Sequence, residues 1–267
     1  MEHRAVLAAL LLGVSVLTGC AQPRDAHIPD FARIPYGPFS RDAAVAIAIR
    51  EWRAFGAPIS EEDTPLTVSV PAGEYSAERA QGLWQRVGEY WWLGLNADQR
   101  GRARTGKHDE YGHEFASEND TPYAWSAVFI SYVMRMAGAG LAFPYSAAHF
   151  DYINEARRAS LGQVPARRVW AERIEDYAPQ LGDLICLGRG RDRALRFESL
   201  PVTLAATHCD IVVGIEPDRL SVIGGNVDDA VALKFVPVTA DGKLGDAAGP
   251  LDPRYPWFVV VRVLYER

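Results

Sequence analysis

The chain has 267 residues, 48% of them hydrophobic and 23% charged, with 23 Gly and 17 Pro. This is globular composition and excludes a disordered, collagen-like or coiled-coil protein. Lys+Arg at 28 and Asp+Glu at 34 leave a net charge of −6, which argues against a nucleic-acid partner, and three Cys are too few for a disulfide scaffold.

Behind Arg4, residues 5–17 form an apolar run of 13. That is too short to span about 30 Å of hydrocarbon and fits a secretory h-region. The run ends Leu17-Thr18-Gly19-Cys20, which resembles the bacterial lipobox. The resemblance implies a signal peptide over residues 1–19, lipidation of Cys20 and a membrane partner reached through acyl chains, at about 0.8 kcal/mol per buried CH₂. Ala21, where Asp would retain a lipoprotein at the inner membrane, implies the outer membrane, facing the periplasm. An ordinary signal peptide that contains a Cys is the simpler alternative. Residues 20–38 are polar and Pro-rich and read as a tether, leaving 39–267 as the folded domain.

A first helix is expected over residues 40–55, with Ser40 as cap and Gly56-Ala57-Pro58 as stop. Residues 66–70 are β-prone. A second helix is expected over 76–93, with Leu83, Val87 and Trp91 on one apolar face. Residues 94–120 read as a polar loop. Thr121 and Pro122 open a third, mostly apolar helix expected over 122–137, and a fourth runs over 146–159. Short β-branched runs follow at 184–187, 209–215, 220–223, 231–238 and 257–264, separated by Gly, Pro and Asp turns. Helices followed by an antiparallel sheet is an α+β pattern.

Three segments carry chemistry. Ser126, in Pro122-Tyr-Ala-Trp125-Ser126-Ala127, sits near a helix N-terminus, where free N–H groups favour developing negative charge. Leu181-Gly182-Asp183-Leu184 is a turn entering a strand. Thr207-His208-Cys209-Asp210 opens another strand, followed by Gly224-Gly225-Asn226 in a turn. An imidazole at His208, oriented by Asn226, would serve Ser126 as general base. Asp210 shares the strand face of His208 and is the alternative orienter. Against these stand plainer readings: a packing Ser, a satisfied core His and a turn Asn.

This order of segments resembles the CHAP and NlpC-type papain-like amidases and peptidases, and most closely a bacterial domain family of unknown function with the same Trp-Ser-Ala-x-Phe-Ile-Ser form. It covers about residues 75–265. The resemblance implies an α+β papain-like fold, peptidoglycan or its stem peptides as partner, cleavage of cell-wall amide bonds, and no cofactor. It also implies a nucleophilic Cys where this chain has Ser126. A Cys thiol ionises readily beside His and a helix dipole, whereas a Ser hydroxyl needs its proton removed during attack. A catalytically inactive module that binds peptidoglycan or a protein partner therefore stands beside a Ser126-His208-Asn226 hydrolase.

Tyr111 and Tyr123 are candidate oxyanion donors by the same resemblance. Trp125 and His149 are candidate cleft residues, with His149 on a helix surface as the plain alternative. His108, His113, Asp109 and Glu114 match no strong zinc spacing, so no metal is expected. The basic Gly188-Arg189-Gly190-Arg191 segment reads as a solvated loop suited to acidic stem peptides. With Cys20 used for lipidation, Cys186 and Cys209 remain, on strands that the family topology makes neighbours; a cross-strand disulfide and two buried thiols both stay open.

Overall fold

Ser40 opens helix α1 (Arg41–Ala54) by accepting a hydrogen bond from the Ala43 N–H at 3.2 Å. Helix α2 (Leu83–Gly94) begins later than residue 76, because Gly82 at φ +89° breaks the chain after a single 3₁₀ turn at Ala77–Arg79. Helix α3 (Ser126–Met136) begins at Ser126 itself, with Trp125 as its cap. Helix α4 (His149–Ser160) begins at His149 rather than at residue 146. Ser146 instead braces the approach, accepting from the Ala148 N–H and donating to Asp151 at 2.5 Å.

These assignments come from a computed structural model that describes residues 37–60, 76–116, 123–164 and 168–265. The chain divides into two units, Met1–Pro35 and Tyr36–Arg267. The first unit, with the expected signal peptide and Cys20, lies outside the described residues. So do the 66–70 run and the Asp120–Pro122 segment. Among the described residues no helix is long and apolar enough to cross a membrane.

The second half forms the sheet. Its strands are β1 (Val169–Glu172), β2 (Leu184–Gly188), β3 (Thr207–Ile215), β4 (Arg219–Val227), β5 (Ala230–Pro237) and β8 (Trp257–Val263). They pair antiparallel in the order β1-β8-β2-β3-β4-β5, with β6 (Gly245–Asp246) and β7 (Gly249–Pro250) as a separate small ribbon. The fold is therefore α+β, as the run of helices and then strands implies. Strand β1 was not expected, because Val169-Trp170-Ala171-Glu172 is short and ends in charge.

Strand alternation splits the core in two. Leu184, Cys186, Cys209, Ile211, Ile223 and Val259 belong to the cluster shared with the helices, including Phe129 and Ile130. Ile185, Leu187, Val212, Val222 and Val260 belong to a second cluster with Trp257 and Leu244. Cys186 and Cys209 sit opposite each other in the β2–β3 register and are joined by a disulfide, with Cα atoms 4.1 Å apart.

Gly225 lets α3 and the sheet meet closely, and Gly224 leaves room for the Asp210 and His208 side chains of β3. A Cβ on Gly225 would lie 2.7 Å from the Phe129 side chain and 2.9 Å from the Trp125 ring. A Cβ on Gly224 would lie 1.9 Å from Asp210 Oδ1. The segment Gly224-Gly225 is thus a contact surface, with φ > 0 first appearing at Asn226 (54°).

Candidate functional site

Ser126 is the first residue of α3, so its own N–H and those of the next two residues have no intrahelical partner. No Ser, Thr or Asp side chain caps this helix. The Trp125 N–H donates instead to Asn226 Oδ1 at 3.2 Å. Asn226 therefore secures the helix entrance. It is not bonded to His208, and the expected His208–Asn226 pairing gives way to another partner.

That partner is Asp210. His208 Nε2 lies 2.7 Å from Asp210 Oδ1, and Asp210 Oδ2 accepts from Lys234 Nζ at 2.9 Å. His208, Asp210 and Lys234 are all buried. Burial would push the Asp210 carboxyl up, but the charges of Lys234 and His208 outweigh it and hold the group well below the usual carboxylate range. A charged Asp210 accepts the Nε2–H of His208, which leaves Nδ1 as the lone-pair nitrogen. Nδ1 is buried and has no hydrogen-bond partner.

Ser126 contacts the other imidazole. Its Oγ lies 2.6 Å from His149 Nε2, and His149 Nδ1 meets the Tyr152 hydroxyl one helical turn on. The His149 and His208 rings are 5.2 Å apart, centroid to centroid. His149 is only 4% exposed, so it is not a helix-surface histidine. Its position at the first turn of α4, pointed at Ser126, explains the difference. Burial above all, then the nearby His208, keeps its pKa well below 6.5, so the ring is neutral at neutral pH. A neutral imidazole donates through one nitrogen and accepts through the other. When Nδ1–H donates to Tyr152, Nε2 accepts the Ser126 hydroxyl proton; Tyr152, buried and with its pKa raised by that burial, stays an uncharged partner.

A cavity of about 490 Å³ opens on this pair, lined among others by Ser126, His149, Arg189, Thr207, Asn226 and Asp228. The remaining candidates lie away from it. Tyr111 is 79% exposed in a loop, beside His113. Tyr123 stacks on Phe115 at 4.2 Å under the Arg104 guanidinium. Neither Tyr lines the cavity. The Trp125 ring is core, its Nε1–H donating to Glu78. Asp183 of the Gly-Asp-Leu turn is structural: it accepts from Tyr177, from the Gln180 N–H and from the Val263 N–H, tying β2 to β8. Among the described residues no group of three or more His, Cys, Asp or Glu is placed to hold a metal ion.

Two participants escape a reading of the sequence. Lys234 is the lone charge in Ala230-Val-Ala-Leu-Lys-Phe-Val, and a single Lys inside an apolar strand is the signal that points to a buried partner. Tyr152 stands three residues after His149, the spacing that places both on one helix face.

A family model described as an uncharacterized protein conserved in bacteria, DUF2272, matches residues 78–263. No curated protein and no solved structure matches the chain.

Proposed function

The chain belongs to the DUF2272 family of bacterial proteins, and from its buried serine–imidazole contact we propose that it is a serine-dependent amide hydrolase of the cell envelope, acting on peptidoglycan peptides. The observation that carries this reading is Ser126 Oγ at 2.6 Å from the neutral His149 Nε2, on the wall of the cavity and at the first turn of α3. A nucleophile and a base within hydrogen-bond reach, beside unpaired N–H groups, is the arrangement acyl transfer needs.

Ser126 Oγ attacks the amide carbonyl while His149 Nε2 takes its proton. The N–H groups at the start of α3 hold the oxyanion. His149 returns the proton to the amine as the C–N bond breaks, and water then releases the acyl group from Ser126. His208, fixed by Asp210 and Lys234, lies beside His149, where the Asp210 charge favours the imidazolium that forms and the Lys234 and Arg189 charges oppose it. Asn226 keeps the helix entrance in place.

A papain-like arrangement is supported by the Ser126-bearing helix packed on an antiparallel sheet, although the base, His149, comes from α4 and not from the strand that carries His208. Peptidoglycan as substrate rests on the resemblance of these motifs to CHAP and NlpC-type amidases. The envelope location rests on the Cys20 lipobox, and a disulfide between Cys186 and Cys209 suits an oxidising compartment. The second reading is a module that binds the same ligands without turnover, favoured by the hydroxyl where the resembling enzymes carry a thiol.

The two part company in one experiment. Mature protein is incubated with muropeptides and with a fluorophosphonate probe. The hydrolase labels and releases product, and Ser126→Ala does neither. Binding of muropeptides with no labelling and no product would establish the binding module instead.

A further inference from the structure

The cavity is electrically lopsided. Arg189 follows the last residue of β2, and Thr207 opens β3 directly opposite Gly188. Asp228 and Asp229 form the turn between β4 and β5. Arg189, Thr207, Asp228 and Asp229 all line the cavity, at one end of the sheet. Two strand spacings separate β2 from β4, so positive and negative rims stand about 10 Å apart, with Ser126 and His149 also on the cavity wall.

The positive rim is held in place yet has open bonding capacity. The Arg189 N–H donates to Ala206 O at 2.8 Å, and Asp192 accepts from the Ala206 N–H at 2.7 Å, which braces the loop against the entrance to β3. The Arg189 guanidinium meets no carboxylate among the described residues. Thr207 Oγ is buried without a hydrogen-bond partner although its residue lines the cavity. A buried hydroxyl left without a partner carries a cost that a ligand oxygen removes. Arg189 is also near enough to act on the site: burial is the main reason that both His149 and His208 titrate low, and the Arg189 charge adds to it.

We propose that Arg189 is a specificity-determining residue that binds a carboxylate of the peptide ligand, with Thr207 Oγ–H donating to the same group. This rests on the proposed hydrolase reading only for the kind of ligand. A guanidinium offers a carboxylate two parallel N–H bonds, and Asp228 on the opposite rim of the cavity repels the same group. The ligand's acidic end therefore lies towards β2, which fixes its direction across Ser126.

The test uses a muropeptide digest in two forms, native and with its carboxyl groups converted to amides. Binding is measured to mature Ser126→Ala protein, so that turnover plays no part. The native digest is expected to bind at least about tenfold more tightly than the amidated one. Adding Arg189→Gln, which removes the charge at an exposed position, abolishes that preference, and Arg189→Glu reverses it. Circular dichroism of both variants checks that the fold persists. Equal binding of the two digests, an unchanged preference in Arg189→Gln, or no binding of either digest overturns the proposal. Its failure is distinguishable from that of the hydrolase reading. Fluorophosphonate labelling and turnover of both digests alike leave a hydrolase without the Arg189 preference. A carboxylate preference with no labelling leaves the preference without a hydrolase.

Discussion

His149 shows how much one side chain's surroundings decide. Sequence alone offers it two places, a cleft wall or a helix surface, and nothing in Ala147-Ala148-His149 chooses. The packing of α4 chooses: it buries the ring between Ser126, Tyr152 and His208. The cost of charging that ring gives a pH signature. Its folded pKa lies below the ordinary 6.5, so the unfolded chain takes up a proton that the folded one refuses. The stabilisation is complete above pH 6.5 and is lost as pH falls, by up to about 1.4 kcal/mol per unit. The lowered His208 adds to the same slope. Asp210 acts in a lower window, present above the unfolded carboxylate pKa near 3.8 and lost below it. Denaturant unfolding at pH 7 and pH 5 is expected to show a loss in the wild type that shrinks in His149→Asn. Identical losses in both proteins would show that His149 is not the group responsible.

At the scale of elements, the site depends on α3 lying almost on the backbone of β4. Gly225 makes that possible, since a Cβ there would enter the Phe129 and Trp125 side chains. Gly225→Ala is expected to destabilise the protein by about 1–3 kcal/mol, the usual cost of overpacking, and to reduce labelling of Ser126 by moving the helix start. Thermal unfolding with and without the probe measures both effects; an unchanged melting temperature would mean that the contact is soft. This dependence also marks how far the sequence could be read. The run of helices followed by strands is legible, because hydrophobic spacing reports local geometry. The sequence places the start of α3 four residues early, since Thr121 and Pro122 look like a cap and a first turn. In fact the entrance is held from 101 residues away by Asn226. The same limit hid the partner of His208. Asp210 and Asn226 are both chemically suitable, and only the approach of β5, carrying Lys234, makes the carboxylate the better fit.

The whole described domain is tied together near this site by the one covalent link between β2 and β3. Closing a loop with a sequence separation of 23 contributes about 3 kcal/mol in the chain-entropy picture. The double variant Cys186→Ala, Cys209→Ala is expected to lose about that much, and wild type unfolded in reductant should match it. Equal stability with and without reductant would place the bridge outside the stability of the fold. The sheet ends, on the other side, at β5, which has only β4 as a neighbour in the ladder and is covered on its outer edge by the Pro58–Ser60 stretch through two backbone bonds to Leu233. Lys234 reaches Asp210 across β4 from this outermost strand, and the missing side chain of Gly224 on β4 leaves room for the Asp210 carboxylate. The electrostatic support of His208 is therefore rooted in the margin of the sheet, where local opening takes less energy than global unfolding. Any opening of this margin would strand Asp210 without its counter-ion while the rest of the domain stays folded, so on the proposed hydrolase reading fluorophosphonate labelling of Ser126 is expected to fall below the melting temperature.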